Sequence, residues 1–173
     1  MKRTHHCNQL RPEHAGQSVS LAGWVHSRRD LGGVIFIDVR DREGRTQTVF
    51  DPSDLPEDVF EQASALRSEC VVCVSGKVRL RPEGRTNPKI LTGQVEVAVS
   101  ELRVLNVADV LPFPVDDPEA AAKVNEELRL KYRYLDLRRP EMARNLRVRS
   151  KVAMATRAYM DEQDFLEVET PTL

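Results

Sequence analysis

Two sets of side chains in this 173-residue chain could do chemistry. The first surrounds Phe36. In G-G-V-I-F-I-D-V-R-D-R-E-G-R-T-Q-T-V-F, residues 32–50, the alternation that turns Ile35, Ile37 and Val39 toward a core turns Val34, Phe36, Asp38 and Arg40 to the opposite face. A ring on one face with an aspartate and an arginine is out of place in a simple amphipathic strand. Around it stand Gln47, whose amide both donates and accepts, and Arg28 and Arg29, whose guanidinium groups suit a phosphate or a guanine edge. The second set is basic: Lys77, Arg79 and Arg81 share one face of a strand, and Arg85 and Lys89 follow in a loop. Together with Arg28 and Arg29 they can form a local positive rim. Neither set holds a carboxylate pair, a nucleophile beside a base or a phosphate-cradling glycine loop, so no residue is nominated as catalytic.

Each set also has a plain structural explanation. A phenylalanine on the second face of a strand can pack under a loop, and alternating Lys and Arg on an edge strand guard against aggregation. Cys70 and Cys73 form a C-x-x-C, but inside the strand-like C-V-V-C-V-S-G-K-V positions three apart point to opposite faces and do not share a metal easily. No metal site is expected there, where Cys70 and Cys73 read as small buried hydrophobes, or at His5, His6 and Cys7, which read as terminal polar residues.

The elements that must position these residues are short strands up to Asn106. Strands are expected over Val19 to Arg28, Val34 to Asp41 and Arg45 to Asp51, with D-R-E-G as a tight turn ending on Gly44. A short helix is expected within D-P-S-D-L-P-E-D-V-F-E-Q-A-S-A-L-R-S-E, where Val59, Phe60, Ala63 and Leu66 recur at helical spacing. Two more strands, Val71 to Arg81 and Val95 to Leu105, flank the turn-rich R-P-E-G-R-T-N-P-K. Three strands, a helix and two strands is the order of a five-stranded OB-fold barrel, with an SH3-like barrel or an incomplete sandwich as alternatives. On an OB-fold the outer face of the first strands is where single-stranded nucleic acid usually lies, bases stacked on rings and phosphates met by basic side chains. A nucleic-acid-binding barrel and a protein-binding barrel both remain open from this pattern.

After Asn106 the proline-rich, acidic V-A-D-V-L-P-F-P-V-D-D-P reads as a linker. Helices are expected from Glu119 to about Tyr134 and from Pro140 to about Gln163, and F-L-E-V-E-T-P-T-L as a strand stopped by Pro171. Such a helix and strand cannot bury their own apolar faces. Leu146, Met154, Ala158, Tyr159, Phe165 and Val168 therefore look like half of an interface. The net charge of -1 advertises no polyanion partner, so any such site must be local. No run of about 18 apolar residues exists to span a bilayer, and the first residues lack a signal-peptide core. With three cysteines, an odd number, the chain is expected to be cytoplasmic.

Long stretches resemble one family. R-T-H-H-C-N-Q-L-R, G-W-V-H-S-R-R-D-L-G-G-V-I-F-I-D-V-R-D-R-E-G, A-D-V-L-P-F-P, L-R-L-K-Y-R-Y-L-D-L-R-R-P and F-L-E-V-E-T-P-T-L resemble the amino-terminal part of bacterial aspartyl-tRNA synthetases, from Lys2 to Leu173. The resemblance implies an OB-fold anticodon-binding domain over 1–106, a linker over 107–118, and over 119–173 the incomplete start of a class II catalytic domain. It implies that Arg29, Phe36 and Gln47 read a GUC anticodon, Phe36 stacking on the central uridine, and that Gln94 of T-G-Q stands where the family's T-G-E places a base-reading glutamate. Pro140 to Leu173 resembles class II motif 1, with Phe165 and Pro171 in a homodimer interface. ATP and magnesium are implied for the full-length parent and none for this chain, since motifs 2 and 3 are expected to lie downstream. The implied partners are tRNA(Asp), with tRNA(Asn) left open as a second, and no membrane. A free-standing OB-fold that binds single-stranded RNA or DNA is the alternative.

Overall fold

The computed structural model describes residues 2–115 and 117–171, and two compact units divide the chain after Val110. In the first unit β1 (Ser18–Leu31), β2 (Val34–Arg40) and β3 (Arg45–Phe50) form a meander. A helix, α1 (Glu57–Ala65), precedes β4 (Val71–Leu80) and β5 (Val95–Asn106). The strands close in the order β1-β2-β3-β5-β4, because β1 pairs antiparallel with both β2 and β4 while β3 meets β5 in parallel. This is the five-stranded OB-fold expected from the element order.

Alternation decides what the barrel encloses. Leu21, Val25, Ile35, Ile37, Val39, Val72, Val74, Val78, Val95 and Val97 point inward and are fully or almost fully buried. The β-branched residues among them suit a pleated wall packed on one face. Where β4 turns at Gly76 there is no room for a side chain: a Cβ would lie 2.1 Å from the Ala98 carbonyl oxygen.

β1 runs three residues beyond the expected end at Arg28. Gly32 and Gly33, both at positive φ, form a two-residue hairpin turn that keeps Arg29 to Leu31 paired with β2. A register shift between Val25 and Ser27 then sets Arg29 opposite Phe36.

The segment before β1 packs into the core: Cys7, expected as a terminal polar residue, is fully buried, as is Leu10. Its anchor is Asp41, at the D-R-E-G turn. One carboxylate oxygen accepts from the Cys7 N–H at 2.9 Å and lies 2.9 Å from His6 Nδ1; the other accepts from the Glu43 N–H at 2.8 Å. Burial pushes the Asp41 carboxyl upward, but the Cys7 and Glu43 amides and the His6 ring outweigh it and hold the group below its ordinary value.

In the second unit Phe113, Val115 and Leu135 form a small apolar cluster with Leu111, Val124, Leu128 and Tyr132. The continuous helix expected from Glu119 to Tyr134 is instead three pieces, α2 (Pro118–Ala122), α3 (Glu126–Lys131) and α4 (Arg133–Asp136). The Asn125 side chain caps α3 by accepting from the Glu127 N–H at 2.9 Å, and Tyr132, at φ -106 and ψ 47, breaks the chain between α3 and α4. Asp136 is buried between Arg133 and Arg139, at 2.6 and 3.0 Å. The long helix α5 (Pro140–Glu162) lies where expected.

The strand expected after α5 is not formed over 165–171, and Thr172 and Leu173 lie outside the described residues. A strand needs a neighbour for its backbone groups, and none is supplied here. Leu146, Met154, Tyr159, Phe165 and Val168 are exposed.

Two stability measurements check this account. Gly76→Ala should destabilise the barrel by about 1–3 kcal/mol in urea unfolding, because the new methyl overpacks a closed wall. For Asp41, a folded value below the unfolded one means a contribution present above about pH 4 and lost as pH falls through the folded value. Wild type should therefore lose more stability between about pH 5 and pH 3 than Asp41→Asn does.

Candidate nucleic-acid interface

Cross-strand pairing assembles one polar patch on the outside of the barrel. Arg29 on β1 is opposite Phe36 on β2, Asp38 on β2 is opposite Gln47 on β3, and Arg79 on β4 is opposite Glu96 on β5. Directly opposed residues share a face, so these three pairs form a continuous surface across the closed sheet. A cavity of about 460 Å³ opens on it, walled by Arg29, Leu31, Val34, Phe36, Gln47, Arg79, Arg81, Pro82, Arg85, Asn87 and Glu96. Four arginines and one carboxylate around a half-exposed ring make it a locally cationic hollow on a nearly neutral chain.

The polar groups form a chain of hydrogen bonds. Arg29 Nη2 donates to Gln47 Oε1 at 3.0 Å and reaches Asp38 Oδ1 at 3.5 Å. Gln47 Nε2 donates to Glu96 Oε2 at 2.7 Å, and Arg79 Nε donates to Glu96 Oε1 at 2.8 Å. Gln47 and Glu96 are buried, so these bonds fix both side chains where water would otherwise compete. Arg81 Nε donates to the Val95 carbonyl at 3.0 Å, while its Nη2 is buried with no partner. Burial pulls the Arg81 guanidinium below its ordinary value, with Asp38 and Glu96 acting in the opposite direction. A buried donor without an acceptor, on the wall of an open cavity, would be satisfied by a phosphate or base oxygen.

Of the residues singled out in the sequence, the cavity brings together Arg29, Phe36, Gln47, Arg79, Arg81 and Arg85. It does not include Arg28, Lys77 or Lys89. Arg28 pairs with the inward-facing Ile37, Lys77 stands exposed opposite Ser18 and Ala98, and Lys89 is exposed, its backbone N–H donating to Asn87 Oδ1 at 3.0 Å. Gln94 is exposed and lines a separate hollow of about 290 Å³ with Thr86, Pro88, Ile90 and Leu91. The residue of β5 that enters the patch is Glu96, two positions on, which sequence reasoning missed. Its signal was an acid aligned with Arg79 across a strand pair, visible only once the register is known.

Among the described residues no group of His, Cys, Asp and Glu is arranged to hold a metal, and no helix is long and apolar enough to cross a membrane. Cys7, Cys70 and Cys73 are buried free thiols; burial pushes Cys7 and Cys73 up, away from thiolate chemistry.

A closed five-stranded barrel with this outer patch is of the nucleic-acid-binding OB-fold class, and a family model described as an OB-fold nucleic acid binding domain matches residues 19–105. The chain belongs to that family. A second model, tRNA synthetases class II (D, K and N), matches residues 125–173. Over its whole length the chain is 56% identical to an aspartate–tRNA(Asp/Asn) ligase of Corynebacterium glutamicum, and over 172 residues 51% identical to one of Persephonella marina. It spans 28% of the length of each of these relatives. The asparaginyl-tRNA synthetase from Pyrococcus horikoshii complexed with asparaginyl-adenylate superimposes with a TM-score of 0.82 at 31% identity, over 99% of this chain and 37% of that one.

The ion pair at the rim gives a direct check. Arg79→Ala leaves the buried Glu96 without its guanidinium and should cost about 1–3 kcal/mol in urea unfolding. Lys77→Ala, on the same strand but outside the patch, should stay within about 0.5 kcal/mol of wild type.

Proposed function

We propose that this chain is the anticodon-reading part of an aspartate–tRNA ligase. The observation that carries the reading is the single cavity in which Phe36, Gln47 and Arg29 meet, on the outer face of an OB-fold barrel. Phe36 offers a face for the central base of a GUC anticodon, Gln47 an amide for that base's edge, and Arg29 a cation for the neighbouring nucleotides. Arg79, Arg81 and Arg85 supply the positive wall along which a phosphate backbone can lie. Gln94 and the exposed Arg28, Lys77 and Lys89 remain candidates for contacts outside the cavity.

In this reading residues 1–106 form the anticodon-binding domain, 107–118 a linker, and 119–173 the start of the catalytic domain. The whole cytoplasmic enzyme activates aspartate with ATP and magnesium and passes the acyl group to the terminal adenosine of tRNA(Asp), with tRNA(Asn) as a second candidate. No residue of this chain is assigned to ATP, magnesium or the amino acid. The exposed apolar side chains of α5, with Phe165 and Pro171, would be covered by the rest of the catalytic domain and a second subunit.

The test is the affinity of the chain for a GUC anticodon hairpin and for the same hairpin with its central base changed, at one stated salt concentration. Wild type should prefer GUC, and Phe36→Ala should weaken that binding by about 5- to 150-fold, the value of one stacked base. Near-equal binding of both hairpins would instead indicate a general single-strand binder. The chain alone should support no aspartate-dependent pyrophosphate exchange.

A further inference from the structure

We propose that His26 and Arg45 form a phosphate site on the outer face of the barrel, two strand positions from the cavity, whose hold on an RNA strand strengthens when His26 is protonated. The inference rests on the anticodon reading above and adds to it a backbone contact outside the cavity.

The register shift in β1 that sets Arg29 opposite Phe36 leaves His26 as the extra residue between Val25 and Ser27. Bulges of this kind re-aim a side chain. Here the imidazole meets β3, where Arg45 Nη1 donates to His26 Nε2 at 2.7 Å. A bond accepted at Nε2 requires the neutral ring. Arg45 precedes Gln47 by two residues, so both side chains leave the same face of β3, roughly 7 Å apart along the strand.

Charge at this place is out of balance. Arg40 and Arg45 stand directly opposite each other across β2 and β3, which costs stability unless the charges are answered. Arg40 is answered: its Nη2 donates to Glu69 Oε1 at 2.6 Å, and Glu69 is buried. Glu69 sits in the left-handed region at φ 67, with its N–H on the Val25 carbonyl at 2.8 Å. Strain of this kind persists only where the surroundings over-determine it. Arg45 is not answered, since among the described residues its guanidinium makes no ion pair and its side chain bonds only to the imidazole. A half-buried guanidinium with N–H groups to spare, beside a ring that can become a second cation, fits the oxygens of a phosphodiester. Trp24, opposite Arg40, adds an indole that suits a nucleotide better than a bare ion.

The charged groups placed around His26 are Arg45 from β3, Arg40 and Asp38 from β2, and Glu69 before β4. Arg40 and Glu69 are spent on each other, and Asp38 faces Arg29 at 3.5 Å. With no anion present, a protonated imidazole would face the Arg45 guanidinium, cation to cation. A phosphate between them turns that repulsion into two charge-assisted bonds. The RNA-bound chain therefore holds the imidazole proton more tightly than the free chain. The added affinity is full at low pH and is lost as pH rises through the bound-state value, in the range where an imidazole titrates.

The experiment measures binding of the full 173-residue chain to the GUC hairpin and to the hairpin with its central base changed, at two pH values and two salt concentrations. Wild type should bind about tenfold tighter at about pH 5.5 than at about pH 8. In His26→Gln the side chain can still accept from Arg45 but cannot be protonated, so this gain should be lost. His5, His6 and His14 titrate in both proteins, so only the difference between them counts. Arg45→Gln should weaken both hairpins alike, by about tenfold, because a phosphate contact carries no base information. It should also lower the salt slope of log K by about 0.7, the share of one single-strand phosphate.

No pH response in wild type, a response kept in full by His26→Gln, or an unchanged salt slope in Arg45→Gln would each overturn the site while leaving the anticodon reading intact. Wild type that binds both hairpins equally, yet shows both losses on substitution, would overturn the anticodon reading and leave the phosphate site standing. Inorganic phosphate that moves the His26 ring resonances as far as the hairpin does would make this a free-anion site and overturn its assignment to the strand. Circular dichroism checks folding, and if one variant fails to fold the other decides.

Discussion

A slip of one residue in the pairing of β2 would turn Phe36 into the barrel and put Ile35, Ile37 and Val39 in water, because side chains alternate with period two. Everything at the candidate site depends on that register. The burial of those three side chains enforces it from inside, at about 1.5–3 kcal/mol for each fully buried aliphatic group. The Gly32–Gly33 hairpin and the D-R-E-G turn enforce it from the two ends of the strand. The core thus does more than hold the barrel closed. It fixes, through the opposite face of the same strand, where the ring stands.

The outer patch is built on the opposite principle. Its members are charged or polar and several are buried, so each must be satisfied by another or remain costly. Arg29, Gln47, Glu96 and Arg79 satisfy one another in a line that crosses four strands brought together only by barrel closure. Arg81 stands at the edge of this line with a donor unspent. A face that is rigid where its groups pair and unsatisfied where they do not is suited to receive a ligand with little rearrangement. The second unit differs among its described residues: α5 buries none of its side chains and leaves its large apolar groups exposed.

Much of this was legible in the residues. The alternation in residues 32–50 marked Phe36 as outward-facing, and strand-strand-strand-helix-strand-strand pointed to the barrel. Arg29 and Gln47 followed from their places beside the same hairpins. Glu96 did not, because its significance comes from a pairing of β4 with β5 and from the parallel contact of β3 with β5, both long-range. Lys77 illustrates the converse: alternation puts it on the face of Arg79, but strand twist and the irregularity between Ser75 and Gly76 leave it outside the cavity. The broken helix between Pro118 and Asp136 was hidden by its good helix-forming residues; Asn125 as a cap was the available signal. The strand expected after α5 is not formed over 165–171, because alternation alone cannot satisfy backbone groups without a neighbouring strand.

The central claim is that the outer face of β1, β2, β3 and β5, with the loop after β4, holds the unpaired bases of an RNA hairpin. An amide nuclear magnetic resonance titration of the chain with a GUC hairpin tests it most directly. The account predicts that the largest shifts fall on Arg29, Phe36, Gln47, Asn87 and Glu96, with little change along α5. Shifts concentrated on α5 or on the far wall around Ser75 and Glu101, or no shifts at low salt, would contradict it.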